Sequence, residues 1–179
     1  MDRTRADVRE TYDRIGEHFS KTRAYAWPEV ESFVENSERG ELALDIGCGN
    51  GRHVETLQQR AGRVLGVDVS RSLLDTARER VPDAGLLLGD ASRLPIASGR
   101  VDLAVYVATL HHLPSKEARI ASLDELARVL DPDGETVPRF YHIYAPTEFR
   151  SDVEASDLSL VECEISSGNC YGTVRSASR

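Results

Sequence analysis

Leu42-Ala43-Leu44-Asp45-Ile46-Gly47-Cys48-Gly49-Asn50-Gly51 decides how this chain is read. Leu42 to Ile46, apolar except for Asp45, has the composition of a buried strand. The alternating glycines that follow permit a tight strand-to-helix turn and let backbone N–H groups come close to a ligand. The next helix is expected to run to about Arg60. Further along, Val64 to Val67 is a second short strand ending in Asp68. Ser70 is placed to cap a helix that turns Leu73, Leu74, Ala77 and Val81 inward. Leu86-Leu87-Leu88 forms a third strand, ending at Gly89-Asp90, and Val101 to Val107 a fourth. Ser115 caps a helix carrying Ile120, Leu123, Leu126 and Leu130 at helical spacing. Strands alternating with helices imply a mostly parallel α/β sheet with helices on both faces.

On the N-terminal side, Val8, Tyr12, Ile15 and Phe19 fall on one face of a helix, with Tyr12 and Phe19 as core residues. A second short helix starts at Pro28, with Val30, Phe33 and Val34 inward. Trp27 reads as a packing residue. On the C-terminal side the alternation falters. Leu130-Asp131-Pro132-Asp133-Gly134-Glu135 has the residues of a helix-ending turn that should lead into another buried strand. Thr136 to His142 follows instead, and Pro138 lacks the donor that a ladder needs. Leu158 to Ile165 and Cys170 to Val174 read as closing strands. One central strand is therefore expected to be missing after residue 135, either because residues are absent between Glu135 and Thr136 or because the sheet is shortened. The expected organisation is a single domain over 1–179: a helical cap at 1–40, a ligand-binding core at 41–135 and a substrate-side segment at 136–179.

The 179 residues suit one domain able to bury roughly 70% of its unfolded surface without staples. No apolar run approaches the roughly 20 residues of a membrane span, and Met1 to Glu10 is charged, without a signal-peptide core. Cys48, Cys163 and Cys170 have neither zinc-site nor disulfide-framework spacing. No metal site and a reducing cytoplasmic setting are expected. The net charge is −8, and only Lys21 and Lys116 among 22 basic residues are lysines. An acidic, arginine-rich surface of this kind suits salt adaptation. It also argues against non-specific binding to nucleic acid, which depends on many phosphate contacts.

The acids sharpen the glycine signal. Asp68 ends the second strand 17 residues after Gly51, where a carboxylate can accept both hydroxyls of a ribose. Asp90 ends the third, within reach of an adenine amino group. Asp45, Asp68 and Asp90 all lie at the carboxyl ends of strands, where open α/β sheets bind ligands. A nicotinamide-binding domain would instead expect G-x-G-x-x-G, and His53 stands at the third glycine position. A blander account makes Asp68 and Asp90 loop caps. Asp45-x-Gly-x-Gly-x-Gly with two later acids resembles the Rossmann-like class I methyltransferase family. The resemblance implies S-adenosyl-L-methionine as cofactor, bound by Asp45, Gly47, Cys48, Gly49, Gly51, Asp68, Val69, Asp90, Ala91 and Val107.

Further stretches narrow the resemblance. They are His18-Phe19-Ser20-Lys21-Thr22-Arg23, Trp27-Pro28, Thr109-Leu110-His111-His112-Leu113, Arg139-Phe140-Tyr141-His142 and Ser167-Gly168-Asn169. Together they are similar to the tRNA wobble-uridine carboxymethyl methyltransferases, which esterify a 5-carboxymethyl group on the first anticodon base. Two departures are Cys170, where that family usually has tryptophan, and His142-Ile143-Tyr144 in place of His-Leu-Phe. The resemblance implies a tRNA anticodon loop as acceptor and a small zinc-binding activator subunit that completes a heterodimer. A carboxylate acceptor, with a pKa near about 4, is already an anion at neutral pH and needs no general base. It needs orientation, which the planar fork of an arginine supplies. Arg139 is the first candidate, with His111, Tyr141 and His142 near it, and Arg23 facing either the cofactor's carboxylate or the acceptor. Two alternatives stay open: a small-molecule methyltransferase, and a non-catalytic subunit, which a truly missing strand would favour.

Overall fold

The computed structural model describes residues 25–140, 145–166 and 168–177. The expected first helix, the His18–Arg23 stretch, Tyr141, His142 and Ser167 lie outside these residues.

Among the described residues, seven strands form one sheet in the order β3-β2-β1-β4-β5-β7-β6. They are β1 (Gly40–Ile46), β2 (Ala61–Asp68), β3 (Gly85–Leu88), β4 (Val101–Val107), β5 (Leu130–Phe140), β6 (Leu158–Ser166) and β7 (Asn169–Ser176). β1 to β5 run parallel, β7 is antiparallel to β5, and β6 is antiparallel to β7. The helices are α1 (Pro28–Asn36), α2 (Arg52–Leu57), α3 (Arg71–Arg80), α4 (Lys116–Val129) and α5 (Pro146–Glu154), with a 3-10 turn at Leu110–His112.

The period-2 alternation of a strand divides the core into two layers. On β1, Leu42, Leu44 and Ile46 join one layer while Ala43 joins the other; on β4, Ala104 and Tyr106 oppose Leu103, Val105 and Val107. The first layer is covered by Leu123 and Leu126 of α4 and by Phe149 and Val153 of α5. The second is covered by Val30 and Val34 of α1, Val54 and Leu57 of α2, and Leu74 of α3. Both predicted caps form: Ser70 Oγ accepts the Leu73 N–H and Ser115 Oγ accepts the Ala118 N–H, each contributing about 1 kcal/mol. α2 ends at Leu57 rather than near Arg60, and β2 starts at Ala61 rather than Val64, so the connection keeps its expected length but lies about three residues earlier.

The expected missing strand is present, which corrects the reading after residue 135. Residues 130–140 form β5 themselves, and Leu130 both caps α4 and opens the strand. The turn-like Asp131-Pro132-Asp133-Gly134 is absorbed by an irregularity: β4 advances from Val101 to Leu103 while β5 advances from Leu130 to Glu135. Beyond it the pairing is regular from Leu103↔Glu135 to Val107↔Arg139. Pro138 lies within the strand, in register with Tyr106 of β4, and the register to β7 is the same on either side of it, at Thr136↔Val174 and Arg139↔Tyr171.

Candidate active site

β1 lies where the sheet order changes direction, between β2 and β4. Open α/β sheets bind ligands beyond the carboxyl ends of the strands at such a point. A cleft open to solvent lies there. Eight of the ten expected cofactor residues line it: Gly47, Cys48, Gly49, Asp68, Val69, Asp90, Ala91 and Val107. Asp45 and Gly51 do not line it. Gly51 caps α2, and Asp45 is wholly buried within β1.

The loop after β1 is held by its own backbone. The Gly47 and Cys48 N–H groups donate to Val67 O at 2.7 and 3.1 Å, and the Gly51 N–H donates to Cys48 O at 2.9 Å. Gly47, Gly49 and Gly51 have φ values of 72°, 52° and 80°, which favour glycine. At Gly47 the need is also steric, since a Cβ would stand 2.0 Å from Thr109 Oγ1. The absence of that atom brings the glycine loop against the segment after β4. That segment carries Ala108, the one non-glycine residue with positive φ among those described, at 53°. Ala108 and Thr109 also line the cleft.

The three acids differ in environment. Asp68 Oδ2 accepts the Gly49 N–H and Oδ1 the Ser70 N–H, each at 2.8 Å, so the carboxylate is oriented by the glycine loop and the start of α3. Asp90 Oδ1 accepts both the Ser92 N–H and the Ser92 hydroxyl at 2.8 Å. Neither carboxylate oxygen of Asp45 has a hydrogen-bond partner among the described residues. Burial pushes its pKa up to about 8, Arg52 pulling it down and Asp68 adding to the rise. Burial likewise raises the Cys48 thiol well above the usual range, with Asp45 and Asp68 adding to the effect.

Arg52 and His53, at the start of α2, line the cleft. The Arg52 guanidinium stacks over Trp27 at 4.9 Å from the ring centroid, and Trp27 meets His53 edge-on at 6.3 Å. Trp27 therefore packs at the rim of the cleft and joins the approach to α1 to the glycine loop.

The acceptor-side candidates are placed less uniformly. His111 is not among the cleft-lining residues; its neighbour His112 is, with the two rings 3.9 Å apart. The 3-10 turn turns one histidine of the pair toward the cleft, and the spelling His-His does not reveal which. Arg139 stands at the carboxyl end of β5, in register with Val107, which lines the cleft. Arg23, Tyr141 and His142 lie outside the described residues. Arg52, Thr109 and His112 were not expected in the cleft. His53, which stands at the third glycine position of a nicotinamide-binding loop, lies in the first turn of the same helix.

An adenosine-bearing sulfonium fits this set. A carboxylate offers about four acceptor sites, so two N–H bonds that orient Asp68 are compatible with holding a ribose diol. The glycine cradle supplies close backbone approach.

The model of the methyltransferase domain family matches residues 44–137. The chain is 37% identical over 130 residues to the tRNA (carboxymethyluridine(34)-5-O)-methyltransferase ALKBH8 of Mus musculus, covering 73% of this chain and 19% of that protein. It is 31% identical over 130 residues to the tRNA (carboxymethyluridine(34)-5-O)-methyltransferase of Saccharomyces cerevisiae, covering 73% of this chain and 46% of that protein. The chain thus spans between a fifth and a half of the length of these relatives. In fold it is similar to the methyltransferase in the complex with the Haloferax volcanii Trm112 methyltransferase activator, with a TM-score of 0.82 at 18% identity over 96% of this chain and 98% of that one. It is also similar to a TehB-like SAM-dependent methyltransferase of Corynebacterium glutamicum, with a TM-score of 0.73 at 24% identity over 94% and 97% of the two chains. With its glycine cradle and paired strand-end acids at the switch point, the chain belongs to the methyltransferase domain family, in its class I, S-adenosylmethionine-dependent form.

Proposed function

We propose that this chain transfers the methyl group of S-adenosylmethionine to the carboxymethyl group of uridine 34 in a tRNA anticodon, giving a methyl ester. The observation that carries the acceptor is the 37% identity over 130 residues to a relative named for that reaction. In this reading Asp68 holds the ribose, Asp90 and Ala91 border the adenine, and the backbone at Gly47 and Gly49 admits the donor. Bound cofactor supplies an electrophilic methyl on a positively charged sulfur. The acceptor carboxylate is already ionised, so the protein removes no proton. Its work is to align one carboxylate oxygen with the methyl carbon and the leaving sulfur, a form of positioning able to supply roughly 7–11 kcal/mol.

Arg139, in register with Val107, is the residue we assign to orienting the carboxylate. His111, Tyr141, His142 and Arg23 keep their proposed places on the acceptor side, and His112 joins them from its position on the cleft. The likeness in fold to a methyltransferase in complex with the Haloferax volcanii Trm112 methyltransferase activator supports a heterodimer with an activator subunit, which the family resemblance implies to be small and zinc-binding. The four-residue edge strand β3, with Leu88 53% exposed, suits a partner that adds a strand. No helix among the described residues is long and apolar enough to cross a membrane. We place the chain in the cytoplasm and read its acidic, lysine-poor surface as salt-adapted.

The test is transfer of radiolabelled methyl from S-adenosylmethionine to hypomodified tRNA, with and without a zinc-binding activator, followed by mild alkali. Label released as volatile methanol is the expected result. Alkali-stable label would mean base or ribose methylation and would remove the role given to Arg139. Labelling of small metabolites in place of tRNA would point to the small-molecule alternative.

A further inference from the structure

The turn after β3, which carries Asp90 and Ala91 into the cleft, is gripped from behind by one face of α4. Ser122 is wholly buried, and its Oγ donates to the Ala91 carbonyl at 2.8 Å. A serine hydroxyl has one proton. The 2.8 Å contact with Tyr106 is therefore donated by the tyrosine, whose hydroxyl is also wholly buried, on β4. A directed chain of hydrogen bonds thus runs from the central strand, through α4, to the backbone of a cleft residue. One turn along the helix, Glu125 Oε2 accepts the Leu94 N–H at 2.7 Å. Arg128 donates to Leu94 O at 3.1 Å and to Ile96 O at 2.9 Å. It also makes a two-point pair with Glu125 at 2.8 and 2.9 Å. Ser122, Glu125 and Arg128 recur every three residues, so they share one helix face.

We propose that Ser122, Glu125 and Arg128 position the adenine wall of the cleft, fixing the backbone of Asp90 and Ala91 against β2 so that the cofactor meets a preformed surface. The proposal rests on the reading of the cleft as the S-adenosylmethionine site. These residues touch neither cofactor nor acceptor and act through the turn at residues 90–94. Near it, Asp90 Oδ1 already takes both polar hydrogens of Ser92, and the Arg93 N–H closes the turn on Asp90 O at 2.9 Å. The turn is therefore locked on its cleft side by Asp90 and on its rear by α4. Loosening the rear would let the wall move without altering the alignment of methyl and acceptor.

The experiment is calorimetric binding of S-adenosylhomocysteine, with steady-state methyl transfer, at a temperature where every variant is folded. Ser122→Ala leaves the Ala91 carbonyl and the tyrosine hydroxyl without their partner, and is expected to weaken binding about 10-fold. Glu125→Ala is expected to act similarly. Glu125→Gln, which keeps an acceptor for the Leu94 N–H, should restore most of the affinity. Tyr106→Phe, which spares the bond to Ala91, should cost about 3-fold. The KM for S-adenosylmethionine should rise in step, with kcat and the KM for tRNA unchanged. Arg119→Ala is the control: it removes an ion pair from α4 to the buried Asp152 of α5 and should lower the melting temperature while leaving the affinity intact. Wild-type affinity in Ser122→Ala and Glu125→Ala, with melting temperatures lowered as in Arg119→Ala, would overturn the proposal. No binding by the wild-type chain itself would sink the cofactor reading, and the proposal with it.

Discussion

The two halves of the sheet are built to different standards. On the cofactor side, β1 pairs with β2 in unbroken parallel register from Gly40↔Ala61 to Ile46↔Val67, and β2 with β3 from Leu65↔Gly85 to Asp68↔Leu88. On the acceptor side, register shifts interrupt β4–β5 and β6–β7, and the last two strands turn antiparallel. The first half brings backbone as well as the Asp68 and Asp90 side chains close to its ligand, so its geometry must be fixed. The second offers side chains at strand ends and tolerates irregular pairing behind them. The two halves should accordingly fail in different ways: changes in the first should abolish cofactor binding, and changes in the second should spare it and slow transfer.

The largest effect is expected at Gly47. Alanine there meets both a φ of 72° and a Cβ placed 2.0 Å from Thr109 Oγ1. The left-handed backbone alone costs about 1–2 kcal/mol, and the clash requires the segment after β4 to move. Cofactor binding by Gly47→Ala should fall below detection in calorimetry, with the melting temperature lowered. Retained micromolar binding would break the claim that the cradle is preformed. On the other side of the sheet, Arg139→Ala should reduce kcat/KM for tRNA by about 100-fold, an effect of lost positioning, with cofactor affinity unchanged. If cofactor affinity falls equally, the division between halves is wrong.

Asp68 should give the next effect. Asp68→Asn keeps one acceptor for the Gly49 and Ser70 N–H groups that now share two carboxylate oxygens, and loses the charge that strengthens both. Hydrogen bonds to charged groups contribute about 1.5–3 kcal/mol, so cofactor affinity should drop about 10- to 100-fold. Because the glycine loop itself leans on this carboxylate, a modest loss of stability should accompany it. A variant that binds normally would separate the loop's anchor from the ribose site.

The same division explains what was legible in the sequence. Glycines with positive φ, serine caps and acids at strand ends are local devices, each set by residue type at a fixed offset. They mark β1 to β4, α3 and α4, and eight of the ten residues they single out line the cleft. β5 was missed because its signals conflict: Asp131-Pro132-Asp133-Gly134 has turn chemistry and Pro138 lacks a donor. Only the sheet reveals that the β4–β5 register absorbs the first and that the second sits within a strand paired on both sides. The choice between His111 and His112, and the approach of Trp27 to Arg52, depend on a 3-10 turn and on packing over 25 residues of chain. Neither leaves a periodic trace.

The smallest effect, and the one most specific to the cofactor half, concerns Asp45. Its pKa is pushed up to about 8, first by burial and then by Asp68, against the pull of Arg52. An unfolded aspartate titrates near about 3.9. From about pH 4 to about pH 8 the native chain therefore holds a proton that the unfolded chain has lost, and the stability it contributes falls as pH rises through that window. Asp45→Asn removes this dependence, because an amide stays neutral at every pH. Above pH 8 the variant of the unliganded chain should be the more stable, because the wild-type carboxyl is then ionised in a wholly buried position. The advantage should shrink toward pH 5, where the wild-type carboxyl is neutral as well. Melting temperatures of the two chains from pH 5 to pH 9 should diverge on the alkaline side. Parallel curves would mean that Asp45 is ionised throughout, and that Arg52 outweighs the burial of β1.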